Sequence, residues 1–221
     1  MNKTHSHDEV RAVIFDLDGV LVSTDEYHYQ SWQRVADEED IPFDREFNER
    51  FRGVGRMDCL EMLLENTEKS YDEEEKQELA DRKNGYFRDM IDHLSPDDML
   101  PGGREMILEL KKRGLKVAVA SGSKNAPFIL DRISLKGKLD AAVSGKDIEN
   151  SKPSPEIFLL AAQQLDEKPA DCIVVEDARS GVEAARRAGM RALGIGDTPL
   201  EEAEKTVPSI DEISVDALLN L

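Results

Sequence analysis

Acidic, hydroxyl and basic side chains follow several short apolar stretches of this sequence. Asp16 and Asp18 come directly after the stretch at 10–15. Aspartate pairs are common by chance in a chain with 47 acidic residues, so this pair alone has little weight. The pattern repeats, however, and the residues that follow the later stretches are Ser121, Ser123 and Lys124 after 115–120, Lys152 beyond 139–144, and Glu176 and Asp177 after 172–175.

Such a set of side chains suits phosphoryl transfer. The four carboxylates Asp16, Asp18, Glu176 and Asp177 would repel one another at close range unless a cation lay between them, and Mg²⁺ prefers oxygen ligands. With that ion present, Asp16 is predicted to be the nucleophile that forms an aspartyl phosphate. Asp18 is then expected to act as general acid and base. We expect Lys152 and Ser121 to hold the transferring group.

The spacing of the apolar stretches predicts the elements that position these residues. The stretches at 10–16, 115–121, 139–144, 172–177 and 190–196 are apolar at consecutive positions, which is typical of strands covered on both faces. Helical patterns at 102–114, 154–165 and 180–189 separate the later ones. This alternation predicts an α/β fold with a doubly wound parallel sheet. Ligands bind such sheets at the carboxyl ends of the strands.

Residues 25–95 interrupt the alternation, because four successive patterns there are helical and none indicates a strand. We predict an inserted α-helical cap domain at 25–95 and a catalytic core domain formed by 1–24 and 96–221.

Bulk composition excludes some classes of function. The chain has 221 residues and a net charge of −18, so nucleic acid and anionic membranes are repelled, and neither is an expected partner. The acidity would also suit life in concentrated salt, where screening removes self-repulsion.

No apolar stretch approaches the roughly 20 residues of a membrane-spanning helix. The two cysteines, Cys59 and Cys172, lie far apart and form no CxxC pair, so the sequence does not support a disulfide framework or a zinc site. We expect a cytoplasmic monomer.

Four segments with these polar residues occur along the chain in the order of a known set of motifs. DLDGV at 16–20, Ser121, Lys152 within SKPSP and the acidic pair within VVEDA resemble the motifs of the haloacid dehalogenase superfamily. The helical insertion after the first motif resembles the subclass that has an α-helical cap. The resemblance implies a Rossmann-like core, a phosphorylated Asp16 and a Mg²⁺ cofactor.

Cap and loop features resemble the β-phosphoglucomutase family within that superfamily. The similar segments are EYHYQSW at 26–32, RGVGR at 52–56 and SGSKNAPF at 121–128. The resemblance implies a sugar-phosphate substrate, with β-glucose 1-phosphate and β-glucose 6-phosphate interconverting through β-glucose 1,6-bisphosphate. It also implies that His28 reports substrate binding to Asp18 through a hinge that includes Thr24. The residues implied in substrate binding are Arg52, Gly53, Val54, Arg56, Ser123, Lys124 and Asn125.

Two other functions stay open at this point. A phosphatase acting on sugar phosphates or phosphoglycolate would use the same nucleophile and metal, and would release inorganic phosphate. A binding or regulatory protein could keep the fold without turnover. The complete set of Asp16, Asp18, Lys152 and Asp177 argues against that last class.

Overall fold

A six-stranded parallel sheet forms the centre of the protein. The computed structural model describes residues 10–51 and 54–221, so Arg52 and Gly53 lie outside the described residues. The strands are β1 (Ala12–Phe15), β2 (Lys116–Ala120), β3 (Ala141–Val143), β4 (Cys172–Glu176), β5 (Arg191–Ile195) and β6 (Lys205–Val207). Their order in the sheet is β3-β2-β1-β4-β5-β6, and neighbouring strands are parallel.

Helices cover both faces of this sheet. They are α5 (Gly103–Lys112), α6 (Ala126–Arg132), α7 (Glu156–Leu165), α8 (Arg179–Arg187) and the short α9 (Val215–Leu219). Val13 and Phe15 of β1 point into an apolar layer shared with α5, α6 and α9, whereas Ala12 and Ile14 point into a layer shared with α7 and α8. Successive side chains of a strand face opposite sides, so burial on both faces requires the consecutive apolar residues seen in the sequence.

In the described part of the chain, four α-helices precede α5 between β1 and β2. They are α1 (Asp25–Glu38), α2 (Arg45–Asn48), α3 (Arg56–Leu64) and α4 (Glu73–Ile91). They enclose an apolar cluster of their own, which includes Trp32, Val35 and Leu60. The C-terminal half of α4 differs, because Phe87 and Ile91 belong to the apolar layer of the sheet. We call residues 25–95 the cap segment and the remaining described residues the core. These boundaries stay a prediction.

The predicted doubly wound parallel sheet is confirmed, and all five predicted strands are present as β1 to β5. Strand β6 was not predicted, because Lys205 and Thr206 give it no apolar stretch. Within the described residues, no helix is long and apolar enough to cross a membrane.

Candidate functional site

The sheet topology places the polar strand ends side by side. β1 lies between β2 and β4, and Phe15 pairs with Val119 on one side and with Val175 on the other. Asp16, Ser121 and Glu176 therefore lie at the same edge. At β1 the order of the strands reverses, because β2 and β3 extend the sheet to one side and β4 to β6 extend it to the other. Open α/β sheets bind their ligands at this kind of switch point.

Lys152 joins two of these carboxylates. Its Nζ atom lies 2.5 Å from Asp16 Oδ1 and 2.5 Å from Glu176 Oε1. All three side chains are less than one-tenth exposed. Burial raises the pKa of Asp16 to about 7, although the Lys152 ammonium opposes the rise. Burial also opposes the charge on Lys152, but the two carboxylates outweigh it and raise the pKa of the lysine.

The loop after β1 positions the second aspartate. Gly19 has a positive φ of 76° and its N–H donates to the Val22 carbonyl at 2.8 Å, which closes a tight turn. Asp18 Oδ1 accepts a hydrogen bond from the Thr24 hydroxyl. Burial raises the pKa of Asp18 to about 6, and the Thr24 hydrogen bond limits the rise. Asp177 lies against Gly19, in space that any side chain at position 19 would occupy.

The loop after β2 is fixed by its own side chains. Ser121 Oγ accepts from the Ser123 N–H at 3.1 Å, and Ser123 Oγ accepts from the Asn125 N–H at 3.2 Å. The neighbouring loop after β3 packs closely on it, because a Cβ at Gly145 would overlap the Gly122 carbonyl. Three predicted residues, Ser121, Ser123 and Asn125, are thus held in one compact turn.

On the cap side, a buried lysine contacts the predicted hinge histidine. Lys83 Nζ lies 2.8 Å from His28 Nδ1, and the His28 ring stacks on Phe87 with a centroid distance of 4.1 Å. Burial lowers the pKa of Lys83 to about 7, and burial with the nearby Lys83 charge lowers that of His28. The sequence analysis did not predict a role for Lys83. The pattern that would have indicated one is its position on the apolar face of α4, four residues from both Leu79 and Phe87.

Arg56 begins α3 and points toward α4. Its Nη1 atom lies 3.5 Å from the Ala80 carbonyl oxygen and 3.9 Å from Asp81 Oδ1. Val54, beside it, is 37% exposed. The predictions for Arg52 and Gly53 fall outside the described residues.

A cavity of about 430 Å³ lies between the cap segment and the core. Thr24 does not line it but contacts Asp18, which does. The predicted residues that line the cavity are Asp16, Asp18, His28, Val54, Arg56, Ser121, Ser123, Lys124, Asn125, Lys152, Glu176 and Asp177.

The donor set at the sheet edge fits a hard cation. Asp16, Asp18, Glu176 and Asp177 all line the cavity, and burial raises the pKa of both Asp16 and Asp18. Across 10–51 and 54–221, no group of three acidic, histidine or cysteine side chains is already arranged to coordinate a metal ion. Lys152 instead lies between Asp16 and Glu176. Mg²⁺ typically binds one or two protein carboxylates together with water and substrate phosphate, so it needs no such cage.

Comparison with known proteins agrees with this geometry. Residues 10–189 match the haloacid dehalogenase-like hydrolase family. The chain is 42% identical to the β-phosphoglucomutase of Bacillus subtilis over 95% of this chain and 94% of that protein. It is 33% identical to a phosphorylated carbohydrates phosphatase of Thermotoga maritima, covering 83% of this chain and 84% of the relative.

The same likeness holds in three dimensions. A crystal structure of β-phosphoglucomutase from Clostridium difficile superposes with a TM-score of 0.89 at 37% identity, covering 94% of each chain. The fold, the order of the four motifs and these similarities agree, and this chain belongs to the haloacid dehalogenase-like hydrolase family.

Proposed function

We propose that the chain is a phosphomutase that interconverts β-D-glucose 1-phosphate and β-D-glucose 6-phosphate. The observation that carries the proposal is the buried Asp16, held by Lys152 beside Asp18 at the floor of a cavity that the cap segment covers. The likeness to β-phosphoglucomutases over nearly the whole chain supports the choice of reaction.

In the proposed reaction the phosphoryl group moves by way of Asp16. The phosphorylated enzyme binds β-glucose 1-phosphate, and the sugar 6-hydroxyl attacks the phosphorus of the aspartyl phosphate. The bond from phosphorus to Asp16 breaks, a new bond to the sugar oxygen forms, and Asp18 accepts the hydroxyl proton. The resulting β-glucose 1,6-bisphosphate reorients. Asp16 then attacks the 1-phosphate, and Asp18 returns the proton to the leaving oxygen.

The surroundings of both aspartates suit these roles. Lys152 places a cation beside the Asp16 carboxylate, where negative charge builds up during transfer. Ser121 lies on the adjacent strand end, ready to donate to a phosphoryl oxygen. A pKa of about 6 lets Asp18 exist in both protonation states near neutral pH, which a general acid and base requires.

We propose Mg²⁺ as the cofactor, with Asp16, Asp18, Glu176 and Asp177 as the candidate ligands; the ion would bind one or two of these carboxylates directly and the others through water. When bound, it would offset the charge on the transferring phosphoryl group. The donor chemistry of this sheet edge supports the assignment.

The second phosphate and the sugar are assigned to cavity residues of the cap segment and of the loop after β2. We propose that Arg56, Ser123, Lys124 and Asn125 hold the phosphate that is not being transferred. The resemblance adds Arg52 as a second cation, and Gly53 and Val54 as sugar contacts through the backbone. We further propose that His28 and Thr24 link substrate binding to Asp18; the Thr24 hydroxyl bound to Asp18 supports this link.

One assay tests the function. The protein is incubated with Mg²⁺, β-glucose 1-phosphate and a trace of the bisphosphate, and glucose 6-phosphate and free phosphate are measured separately. We expect glucose 6-phosphate to dominate and Asp16→Asn to abolish both products. A wild-type protein that releases mainly phosphate would overturn the mutase assignment.

That outcome would favour the second candidate, a sugar-phosphate phosphatase. The 33% identical relative from Thermotoga maritima named as a phosphorylated carbohydrates phosphatase supports keeping it. We also propose that the chain works as a cytoplasmic monomer; gel filtration tests the monomer directly.

A further inference from the structure

A row of side-chain contacts joins the cap segment to the core along helices α4 and α6. Asn84 contacts Asn125, and one turn further along α4 the Arg88 guanidinium lies 3.9 Å from the centre of the Phe128 ring. The Asp92 carboxylate, at the end of α4, pairs with Arg132. The spacing of four residues places 84, 88 and 92 on one side of the helix, so the three contacts form a continuous seam.

Asn125 is the member of this seam nearest to the proposed active site. Its backbone is already fixed, because its N–H donates to Ser123 Oγ and its carbonyl accepts from the Phe128 and Ile129 N–H groups. Its side chain is buried, and the amide Nδ2 donates to Asn84 Oδ1 at 2.9 Å. The orientation of the Asn125 amide group is therefore set by a residue of the cap segment.

We propose that Asn84 is a positioning residue for the phosphate-binding loop, because from the cap segment it orients the Asn125 amide toward the second phosphate of the substrate. The inference rests on the proposed function, in which Asn125 holds the phosphate that is not transferred. It adds that this binding site reaches its final geometry only when the cap segment lies against the core.

The composition of the seam suits side-chain contacts that can break and reform one by one. Its members are mostly polar, and Arg88 and Asp92 are exposed. Exposed ion pairs and cation–π contacts stabilise little individually, and the one aromatic side chain in these three contacts, that of Phe128, is only partly buried. Phe87 and Ile91 of the same helix stay buried in the apolar layer of the core, so α4 remains anchored there and only the polar contacts of the seam would cost little to break.

The test compares two substrates that differ in the need for this site. β-Glucose 1-phosphate, assayed with Mg²⁺ and a trace of bisphosphate, uses the second phosphate site, whereas para-nitrophenyl phosphate has a single phosphate. We expect Asn84→Ala to lower kcat/KM for the sugar phosphate about tenfold and to leave slow hydrolysis of the aryl phosphate unchanged. Alanine suits a helix, so α4 should persist in the variant.

Further variants separate positioning from a structural role. Asn84→Asp keeps an acceptor of the same shape and should recover part of the loss. The double variant Asn84→Ala with Asn125→Ala should be no worse than Asn125→Ala, because both remove the same interaction. Asp89→Asn, on the exposed side of the same helix, is the matched control and should behave as wild type on both substrates.

Three results would overturn the inference: unchanged sugar-phosphate turnover in Asn84→Ala, an equal loss on both substrates, or additive losses in the double variant. A wild-type protein without mutase turnover would instead refute the proposed function. In that case, calorimetric titration with β-glucose 1,6-bisphosphate in EDTA compares the affinities of wild type and Asn84→Ala for the bisphosphate, and this measurement does not depend on turnover. Equal affinity in that titration would refute the positioning role.

Discussion

Replacing Lys152 by methionine tests the electrostatic centre of the site. Methionine keeps an unbranched chain but removes the ammonium that lies 2.5 Å from both Asp16 and Glu176. The Asp16 and Glu176 side chains are 9% and 1% exposed, so water solvates them poorly and replaces the lost partner only in part. Removing one member of a buried ion pair typically costs about 3–5 kcal/mol of stability.

The size of this loss should depend on pH. Burial raises the pKa of Asp16 to about 7 in the folded protein, from an ordinary value of 3.8. Protonation of a group whose folded pKa is raised stabilises the fold at low pH, and this stabilisation is lost as pH rises through the folded pKa. Without the lysine the folded pKa of Asp16 rises further. We therefore expect Lys152→Met to lose about 3–5 kcal/mol at pH 8.5 and roughly half of that at pH 5.5.

Urea unfolding in EDTA at the two pH values measures the effect. Lys111→Met is the matched control, because Lys111 pairs with Asp140 at 2.8 Å but both side chains are about one-third exposed. Exposed pairs contribute about 0–1 kcal/mol, so this control should lose little at either pH. The reasoning fails if Lys152→Met loses no more than the control, or loses the same amount at both pH values.

Other changes test neighbouring parts of the structure. Thr24→Val removes the hydroxyl that holds down the pKa of Asp18, so the acidic limb of the pH–rate profile should move above about pH 6; an unmoved limb would contradict this. Gly145→Ala should raise KM for the sugar phosphate about tenfold, because the new methyl group would displace the Gly122 carbonyl; an unchanged KM would speak against that contact. Gly85→Ala should raise the free energy of unfolding by about 0.5–1 kcal/mol, measured in urea, because the position is helical with open space around it. With a net charge of −18, the chain should also unfold at a higher temperature in 1 M KCl than in dilute buffer, and greater stability without salt would refute self-repulsion as a limiting factor.

The strand ends were predictable because one rule applied to each of them. Asp16, Ser121 and Glu176 each follow a stretch buried on both faces, and parallel strands bring their carboxyl ends to a common edge. The sequence therefore predicted the neighbourhood of the site without any knowledge of distances. It did not predict that Lys152 would bridge two carboxylates, because that contact spans 136 residues.

The cap side of the site was harder to predict for the same reason. Lys83 meets His28 across 55 residues, and Asn84 meets Asn125 across 41. In the sequence both residues belong to a highly charged helix whose polar side chains are expected to face water. Tertiary packing decides which of them turn inward. An apolar face that includes one lysine was the available signal for Lys83, whereas Asn84 had none.

The carboxylates alone do not separate a mutase from a phosphatase, since both reactions start from the same aspartyl phosphate. What differs is whether a sugar hydroxyl or water reaches the phosphorus. Gly55 of the cap segment lies close to Ser151, next to Lys152, and a Cβ at position 55 would come within 3.3 Å of the Ser151 hydroxyl oxygen. This approach brings the cap segment to the rim of the site, but the cavity of about 430 Å³ that Asp16 lines still has room for water. Exclusion of water depends on surface fit, and a small gap admits a molecule of that size. We therefore expect the partition between the two reactions to depend on how completely the bound sugar phosphate and the cap segment fill this cavity.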